Sequence, residues 1–294
     1  MASRLVTALR QNLVDQYRTR CQALRARNIL AQGNALGPFH LLPTSPVGAQ
    51  LCTIILAAIT LIPIAQAAET ENMAYTIKKI DHLPAIDAHF DAPAWQRAET
   101  LTIANFHPRG SGHKPKTQAR LLHNGNTLAV IFRVEDQYVI ARHTEYQQPT
   151  HEDSCVEFFA QPSPGKGYFN FEMSATGTLL LWYVEDARRI NGEFAKTTPL
   201  PLDLYQKIDI HASLSGPIET EITDATTWTV SYQIPIALFE AFTPQLKTFS
   251  RQKWRGNFYK CADKSSHPHW GYWADIGDFL DFHQPEKFAP ITFE

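Results

Sequence analysis

Short apolar runs with strand-like alternation follow one another along the chain after residue 75. In one such run Phe169, Phe171 and Met173 alternate with the polar Asn170 and Glu172. Successive side chains of a strand point to opposite faces, so this spacing predicts a strand with one core face and one polar face. The strands predicted in this way cover residues 101–106, 118–123, 127–134, 154–161, 168–175, 178–185, 207–213, 227–234, 254–261 and 289–293.

The connections between several of these runs are too short to hold a crossover helix. Gly125 and Gly177 each lie in a tight turn sequence between two apolar runs, which is typical of β-hairpins. The clearest helical stretch is brief, residues 236–242, and Pro235 opens it. Many antiparallel strands with few helices predict an all-β fold, an antiparallel β-sandwich or an open barrel with one or two short helices.

The charge of the chain divides near residue 67. The whole sequence has 27 Lys and Arg against 29 Asp and Glu, a net charge of -2. Residues 1–67 carry six Arg, no Lys and a single acid, Asp15, so the net charge of -7 belongs to the remaining residues. An acidic, aromatic-rich domain disfavours binding to nucleic acid, which needs a concentrated positive field. Its apolar content also disfavours disorder.

The segment before the domain has the pattern of a secretory signal. An apolar run of 14 residues from Leu51 ends at the small-residue site Ala65-Gln66-Ala67. We therefore predict a signal peptide at 48–67, a secreted or periplasmic protein, and no stable membrane span after cleavage. The basic region that normally precedes such a run is missing, because Arg27 is the nearest positive charge.

Residues 1–47 are interpreted as an N-terminal extension that is disordered or reflects a mis-assigned start. Translation from Met73 is the alternative start, and it would leave a cytoplasmic protein.

The polar faces of several predicted strands carry hydrogen-bonding side chains. The hairpin between residues 154–161 and 168–175 would place Glu157 on one face with Asn170 and Glu172, and Arg133 and Asn257 are polar positions in other strands. Planar groups with several donors and acceptors suit a polyhydroxylated ligand. The alternative is an ordinary solvated outer face.

Residues 266–273 form a second candidate region, which is too rich in Gly and Pro to predict a regular strand. It contains Trp270, Tyr272 and Trp273. Sugar rings have apolar C–H faces that stack on such side chains, so the segment is a candidate carbohydrate platform. The alternative is a core plug that closes one end of the sandwich. For His267 and His269, hydrogen bonding or packing is favoured over metal binding.

Acidic and sulfur-containing side chains lie near the start of strand 154–161. Glu152 and Asp153 offer oxygen ligands for a structural calcium ion, although no EF-hand spacing is present. Glu157 and Glu172 are the candidate carboxylate pair of a glycoside hydrolase. Cys155 and Cys261 could form a disulfide or remain buried thiols, and the sequence leaves both open.

Six segments occur in an order that resembles a known family. They are IDAHFDAPAW (86–95), ARLLHNGNTLAVIFRVED (119–136), EDSCVEFFAQP (152–162), GYFNFEMSATGTLLL (167–181), WTVSYQIPIALF (228–239) and WRGNFYKCADKSSHPHW (254–270). Over residues 75–294 the chain resembles carbohydrate-binding module family 9-like domains, part of the wider DOMON-like group. The resemblance implies an immunoglobulin-like, jelly-roll-type β-sandwich that binds sugars, is often linked to xylanases and other glycoside hydrolases in carbohydrate catabolism, and holds calcium in some members.

In the better-known modules of the family two tryptophans sandwich a terminal sugar ring, while polar side chains bind its hydroxyls. The candidate sugar-binding residues here are Trp270, Trp273, Trp182, Arg133, Asn170, Glu172, Asn257 and His269. We expect a non-catalytic, monomeric carbohydrate-binding domain. Two alternatives stay open, a glycoside hydrolase and a structural or adaptor sandwich. Haem, which some DOMON relatives bind, is not expected, because Met173 falls on the core face.

Overall fold

The computed structural model describes residues 73–163 and 165–294, and its regular structure is almost entirely β-strand. The predicted signal peptide and the extension before it lie outside the described residues. The strands are β1 Tyr75–Lys79, β2 Leu101–Ile103, β3 Asn105–Phe106, β4 Lys116–His123, β5 Thr127–Asp136, β6 Val139–Ala141, β7 Cys155–Gln161, β8 Tyr168–Ser174, β9 Leu179–Leu180, β10 Trp182–Ile190, β11 Glu193–Pro199, β12 Asp209–Ala212, β13 Ile218–Ile222, β14 Thr226–Pro235, β15 Lys253–Cys261, β16 Trp270–Tyr272 and β17 Ala289–Phe293.

Within the described residues, two helices complete the regular structure, together with short 3-10 turns. They are α1 Leu202–Tyr205 and α2 Ile236–Glu240. The second lies where the sequence predicts a helix, and Pro235 precedes its first residue. Within the described residues, no helix has the length and apolar character needed to cross a membrane.

The strands form two hydrogen-bonded arrays that share β1. The first array has the order β11-β10-β8-β7-β15-β17-β1, and the second has the order β1-β4-β5-β14-β12. Strand β1 runs parallel to β17 through Tyr75 to Ile77 and parallel to β4 through Lys78 and Lys79. The other strand pairs of the described chain are antiparallel, so β1 joins the two sheets by parallel pairing on both sides.

Aromatic side chains from the two sheets meet in the main core. The ring of Phe258 in β15 lies 6.3 Å from Phe132 in β5, and the ring of Phe171 in β8 lies 6.3 Å from Tyr232 in β14. All four side chains are fully buried. Burial of this kind between two sheets defines a β-sandwich, which confirms the predicted fold class.

The alternation in β8 is as predicted. Phe169, Phe171 and Met173 belong to the main core, whereas Asn170 and Glu172 lie on the outer face of the first sheet. That outer face is not open to solvent throughout, because the segment 276–288 covers part of it. This second layer packs Tyr259 against Phe282, for example, with stacked rings 4.0 Å apart, so both faces of β8 are buried.

The sequence analysis missed five strands, β1, β6, β11, β13 and β16. For β16 the prediction was wrong, because the Gly and Pro content of the segment 266–273 was interpreted as incompatible with a strand. Gly271 pairs with Lys260 of β15 and lies against the ring of Phe106. A Cβ at Gly271 would come within 2.9 Å of that ring, so glycine is what allows β3 and β16 to approach.

Candidate functional site

A cleft with a volume of about 420 Å³ opens on the outer face of the first sheet. Its lining comes from β7, β8, β10, β11, β15 and β16 and from the segments that flank them. We call it the tryptophan cleft, and its lining residues are His151, Glu157, Asn170, Glu172, Leu180, Trp182, Arg189, Glu193, Phe194, Cys261, Asp263, Trp270, Leu280, Asp281, Phe282 and His283.

Strand register explains why these distant residues meet. Cys155 of β7 is directly opposite Cys261 of β15, and Cys261 is in turn opposite Trp270 of β16. In the next row of the same face, Glu157 is opposite Glu172 of β8. Residues directly opposite one another on paired strands present their side chains to the same face. The sheet therefore brings thiols, carboxyl groups and an indole to one surface.

Asn170 and Glu172 form a fixed polar pair at the base of the cleft, where they are 1% and 4% exposed. The Asn170 amide donates to Glu172 Oε1 at 2.8 Å, and its own oxygen accepts the backbone N–H of Trp182 at 2.6 Å. The second carboxylate oxygen, Glu172 Oε2, accepts no hydrogen bond from the described residues. His151 Nδ1 lies 3.4 Å away from it, at ion-pair distance, and this interaction raises the pKa of His151.

Glu157 is also deeply buried, with 2% of its surface exposed. Burial raises its pKa well above the usual range, and the neighbouring Cys261 and Glu172 add to the effect. Cys261 Sγ lies 3.0 Å from Glu157 Oε1. A raised pKa favours the protonated form of the carboxyl group, and in that form Glu157 can both donate and accept a hydrogen bond.

The two tryptophans of the cleft are half-buried, so part of each indole surface remains accessible. Trp270 is held by a hydrogen bond from its Nε1 to Asp263 Oδ1 at 2.7 Å. Burial raises the pKa of Asp263, while the bond from Trp270 opposes that rise. Trp182 packs edge to face against Phe194 of β11, with ring centroids 6.1 Å apart. Both indoles are therefore restrained by neighbours.

Phe194 links Trp182 to a further polar group. The guanidinium of Arg189 lies over the Phe194 ring at 3.6 Å, and the ring of His283 is 4.5 Å from that of Phe194. Burial, together with the nearby Arg189, lowers the pKa of His283 to about 3. His283 is therefore neutral, and its Nδ1 shares a hydrogen bond of 2.8 Å with the hydroxyl of Tyr168.

The family model described as carbohydrate-binding family 9 matches residues 90–293. The chain belongs to carbohydrate-binding family 9. A curated protein of Arthroderma benhamiae, named an extracellular protein, is 30% identical to this family 9 chain over 198 residues, 61% of this chain and 79% of that protein.

Two solved structures have a similar fold. A candidate carbohydrate-binding protein from Bacteroides uniformis gives a TM-score of 0.67 at 24% identity and covers 75% of this chain and 99% of its own. A family 9 carbohydrate-binding module from Caldicellulosiruptor kristjanssonii in complex with glucose gives a TM-score of 0.50 at 12% identity, with coverage of 76% and 96%. At these identities the likeness shows the fold of the family 9 domain.

Four of the sugar-binding candidates in this family 9 domain line the tryptophan cleft, namely Trp182, Trp270, Asn170 and Glu172. Trp273 does not. It follows the end of β16 and turns into the main core, where its ring lies 5.6 Å from Phe258. The interpretation of 266–273 as one aromatic platform is therefore corrected: Trp270 faces the cleft, and Trp273 plugs the core.

Asn257 shares the outer face of β15 but is completely buried. Its side chain donates to the carbonyl of Ala274 and accepts the Ala274 N–H, at 2.9 and 2.8 Å. Both functions of the amide are used to hold the segment after β16 on the sheet. We therefore remove Asn257 from the candidate sugar site.

Arg133 and His269 lie elsewhere in the family 9 fold. Arg133 belongs to β5 in the second sheet, where its guanidinium binds Asp91 at 2.9 Å and Gln118 at 2.7 Å. His269 precedes Trp270 and therefore points to the opposite face, where its Nε2 contacts Lys260 Nζ at 2.8 Å. These two residues support the fold and do not line the cleft.

The proposed calcium ligands lie beside the 3-10 turn Thr150–Glu152. Asp153 is 1% exposed, and its Oδ2 accepts the backbone N–H groups of Arg142 and His143 at 3.0 and 2.9 Å. Glu152 Oε2 faces His143 Nε2 at 3.5 Å. Calcium takes six to eight oxygen ligands, and this set offers few free oxygens. Calcium at Glu152 and Asp153 stays a prediction, and we derive no role from it.

Several cleft residues were missed by the sequence analysis. Arg189 and Phe194 are paired on either side of the turn of the β10–β11 hairpin. The turn sequence Asn191-Gly192 is typical of a hairpin and could have indicated it. His151 and Asp263 come from connecting segments, and no periodicity in the sequence indicates where such residues point.

Proposed function

We propose that this family 9 domain binds carbohydrate without catalysing its hydrolysis, and that the tryptophan cleft is the binding site. The observation that carries the proposal is the combination of two accessible indoles, Trp182 and Trp270, with the buried carboxylate oxygen Glu172 Oε2, which accepts no hydrogen bond from the described residues. An apolar surface beside a buried carboxylate acceptor matches a sugar ring, which has C–H faces and hydroxyl edges.

The polar groups of the cleft are suited to hydroxyl recognition. Glu172 Oε2 accepts a hydroxyl, and Glu157, whose raised pKa favours the protonated form, donates or accepts one. Asn170 holds Glu172 in place and is itself fixed by the backbone of Trp182. Because the polar base is hydrogen-bonded before a ligand arrives, little side-chain entropy is lost on binding.

The compartment and biological setting form the second part of the proposal. The Arthroderma benhamiae relative is named an extracellular protein, and the Caldicellulosiruptor kristjanssonii module was solved with glucose. These relatives support a secreted or periplasmic protein that binds a glucose-like unit in the context of carbohydrate catabolism.

The arrangement of Glu157 and Glu172 favours binding over catalysis. Glycosidases place two carboxyl groups so that they flank the bond to be cleaved. Here the two residues are directly opposite one another on adjacent strands of one sheet face, and both are almost fully buried. They therefore approach a ligand from the same side.

Calorimetry and affinity electrophoresis against glucose, cello-oligosaccharides, xylo-oligosaccharides and mixed glycans test the proposal. Trp270→Ala and Trp182→Ala each remove a ring contact, and we expect affinity to fall by about tenfold or more. Leu202→Ala is the control, because this side chain is 58% exposed on α1 and does not line the cleft. A sugar that binds equally well to the wild type and to both tryptophan variants would show that the site is elsewhere.

A further inference from the structure

Two cysteine side chains lie next to each other beneath the tryptophan cleft. Cys155 and Cys261 are directly opposite one another on the antiparallel strands β7 and β15. Both are fully buried free thiols, and Cys261 lines the cleft. Among the described residues these are the two cysteines, and the sheet register places them side by side.

We propose that Cys155 and Cys261 form a disulfide in the exported protein and that this bond completes the floor of the sugar site. Directly opposed residues of antiparallel strands have Cα atoms about 4.5 to 5.5 Å apart, and a disulfide accepts about 4.4 to 6.8 Å. The inference rests on the proposed extracellular location, because disulfides persist in oxidising compartments.

The reaction is a thiol–disulfide exchange with the disulfide of a thiol-oxidase protein. One thiolate attacks that disulfide and forms a mixed disulfide, and the second thiolate then displaces the oxidase cysteine. One S–S bond forms in this chain and one is broken in the oxidase. The two thiols lose two electrons and two protons, and the oxidase disulfide is reduced to a dithiol.

The bond changes what Glu157 can offer a ligand. In the thiol state Cys261 Sγ lies 3.0 Å from Glu157 Oε1 and can donate its proton to it. In the disulfide that proton is gone, so Oε1 loses this partner while it remains buried against the cleft. A sugar hydroxyl then becomes the available donor to Glu157, and the oxidised protein binds sugar more tightly than the reduced one.

A competing chemistry uses the same atoms. The two sulfurs and a Glu157 carboxylate oxygen lie within 4.8 Å of one another and could hold a metal ion. Thiolates select soft or borderline cations such as zinc. Bound zinc would keep both cysteines reduced, so metal analysis separates this outcome from the disulfide.

Mass spectrometry of the full chain, exported and purified without reductant, tests the bond. The protein is denatured in iodoacetamide, digested without reduction and mapped, and its zinc content is measured on a native sample. A linked peptide that joins Cys155 to Cys261 is the expected result. Alkylation of both cysteines, or one zinc per chain with both cysteines reduced, would overturn the proposal.

Sugar affinity before and after reduction tests the role of Glu157. For the wild type, we expect reduction to weaken binding by about twofold to tenfold, the effect of one hydrogen bond. The double variant Cys155→Ser with Cys261→Ser is the control and should not respond to the reductant. A wild-type affinity that does not change on reduction would contradict the role of Glu157. Absence of sugar binding in both states, with the linked peptide present, would instead contradict the proposed function.

Discussion

His269 should make the domain sensitive to mild acid. Its side chain is 2% exposed, its Nδ1 contacts the carbonyl of His267 at 2.9 Å, and its Nε2 lies 2.8 Å from Lys260 Nζ. The ammonium of Lys260 can only donate, so Nε2 must accept and the imidazole must be neutral. Burial, followed by the charge of Lys260, lowers the pKa of His269 from 6.5 to about 3.

The size of the effect follows from this pKa difference. The unfolded chain binds a proton at this residue below about pH 6.5, whereas the folded chain does so only near pH 3. Stability from neutral His269 is thus fully present above pH 6.5 and is lost as the pH falls towards 3. At about pH 5 the loss is about 2 kcal/mol, which corresponds to a lower Tm by about 4 to 8 °C.

Thermal unfolding of the wild type and His269→Gln between about pH 7.5 and 4.5 measures the effect. The glutamine keeps a neutral acceptor for Lys260 but cannot be protonated, so we expect its stability to fall less steeply with acid. His82→Gln changes an exposed histidine and serves as the matched control. The reasoning is refuted if the wild type and His269→Gln lose stability in parallel, because the two proteins share all other titrating groups, including Asp136.

Three further predictions concern other positions of the domain. Asp136→Asn should lower the free energy of unfolding by about 3 to 5 kcal/mol in urea titration, since Lys260 is 0% exposed and would lose its carboxylate at 3.4 Å; a loss below 1 kcal/mol would contradict a buried charge pair. Asp263→Ala should weaken sugar binding severalfold with little change in Tm, because Trp270 loses its hydrogen bond; equal affinity would mean that the bond does not position the indole. Gly271→Ala should lower the Tm measurably in calorimetry, because its Cβ would meet Phe106 at 2.9 Å; an unchanged Tm would show that β3 yields freely.

The sheet and much of the cleft base were predictable because alternation is a local signal. The spacing in β8 alone placed Asn170 and Glu172 on one face, and the short hairpin to β7 added Glu157 to that face. Trp270 was identified from the aromatic segment 266–273, and Trp182 was added as a stacking candidate through the family resemblance. The fold brings both tryptophans together with the polar residues of the cleft base.

The incorrect placements have a common physical cause. Trp270 and Trp273 are near in sequence, but β16 ends at Tyr272 and the chain turns Trp273 into the core. Asn257 lies on the polar face of its strand, as the alternation predicts. A later segment covers it, however, and Ala274 of that segment accepts a hydrogen bond from its amide. Arg133 lies on a polar strand position of the other sheet. Which sheet a strand joins, and which segment covers it, depends on long-range packing that periodicity does not contain.

The position of β1 between β17 and β4 sets an order of events during synthesis. The hydroxyls of Thr76 and Thr292 lie 3.2 Å apart across a separation of 216 residues. Until β17 has been made, the edge of β1 that faces it has no partner. The parallel pairing that joins the two sheets is therefore incomplete. Because synthesis proceeds from the amino terminus, the first strand of the domain completes its pairing only after the last strand has been made.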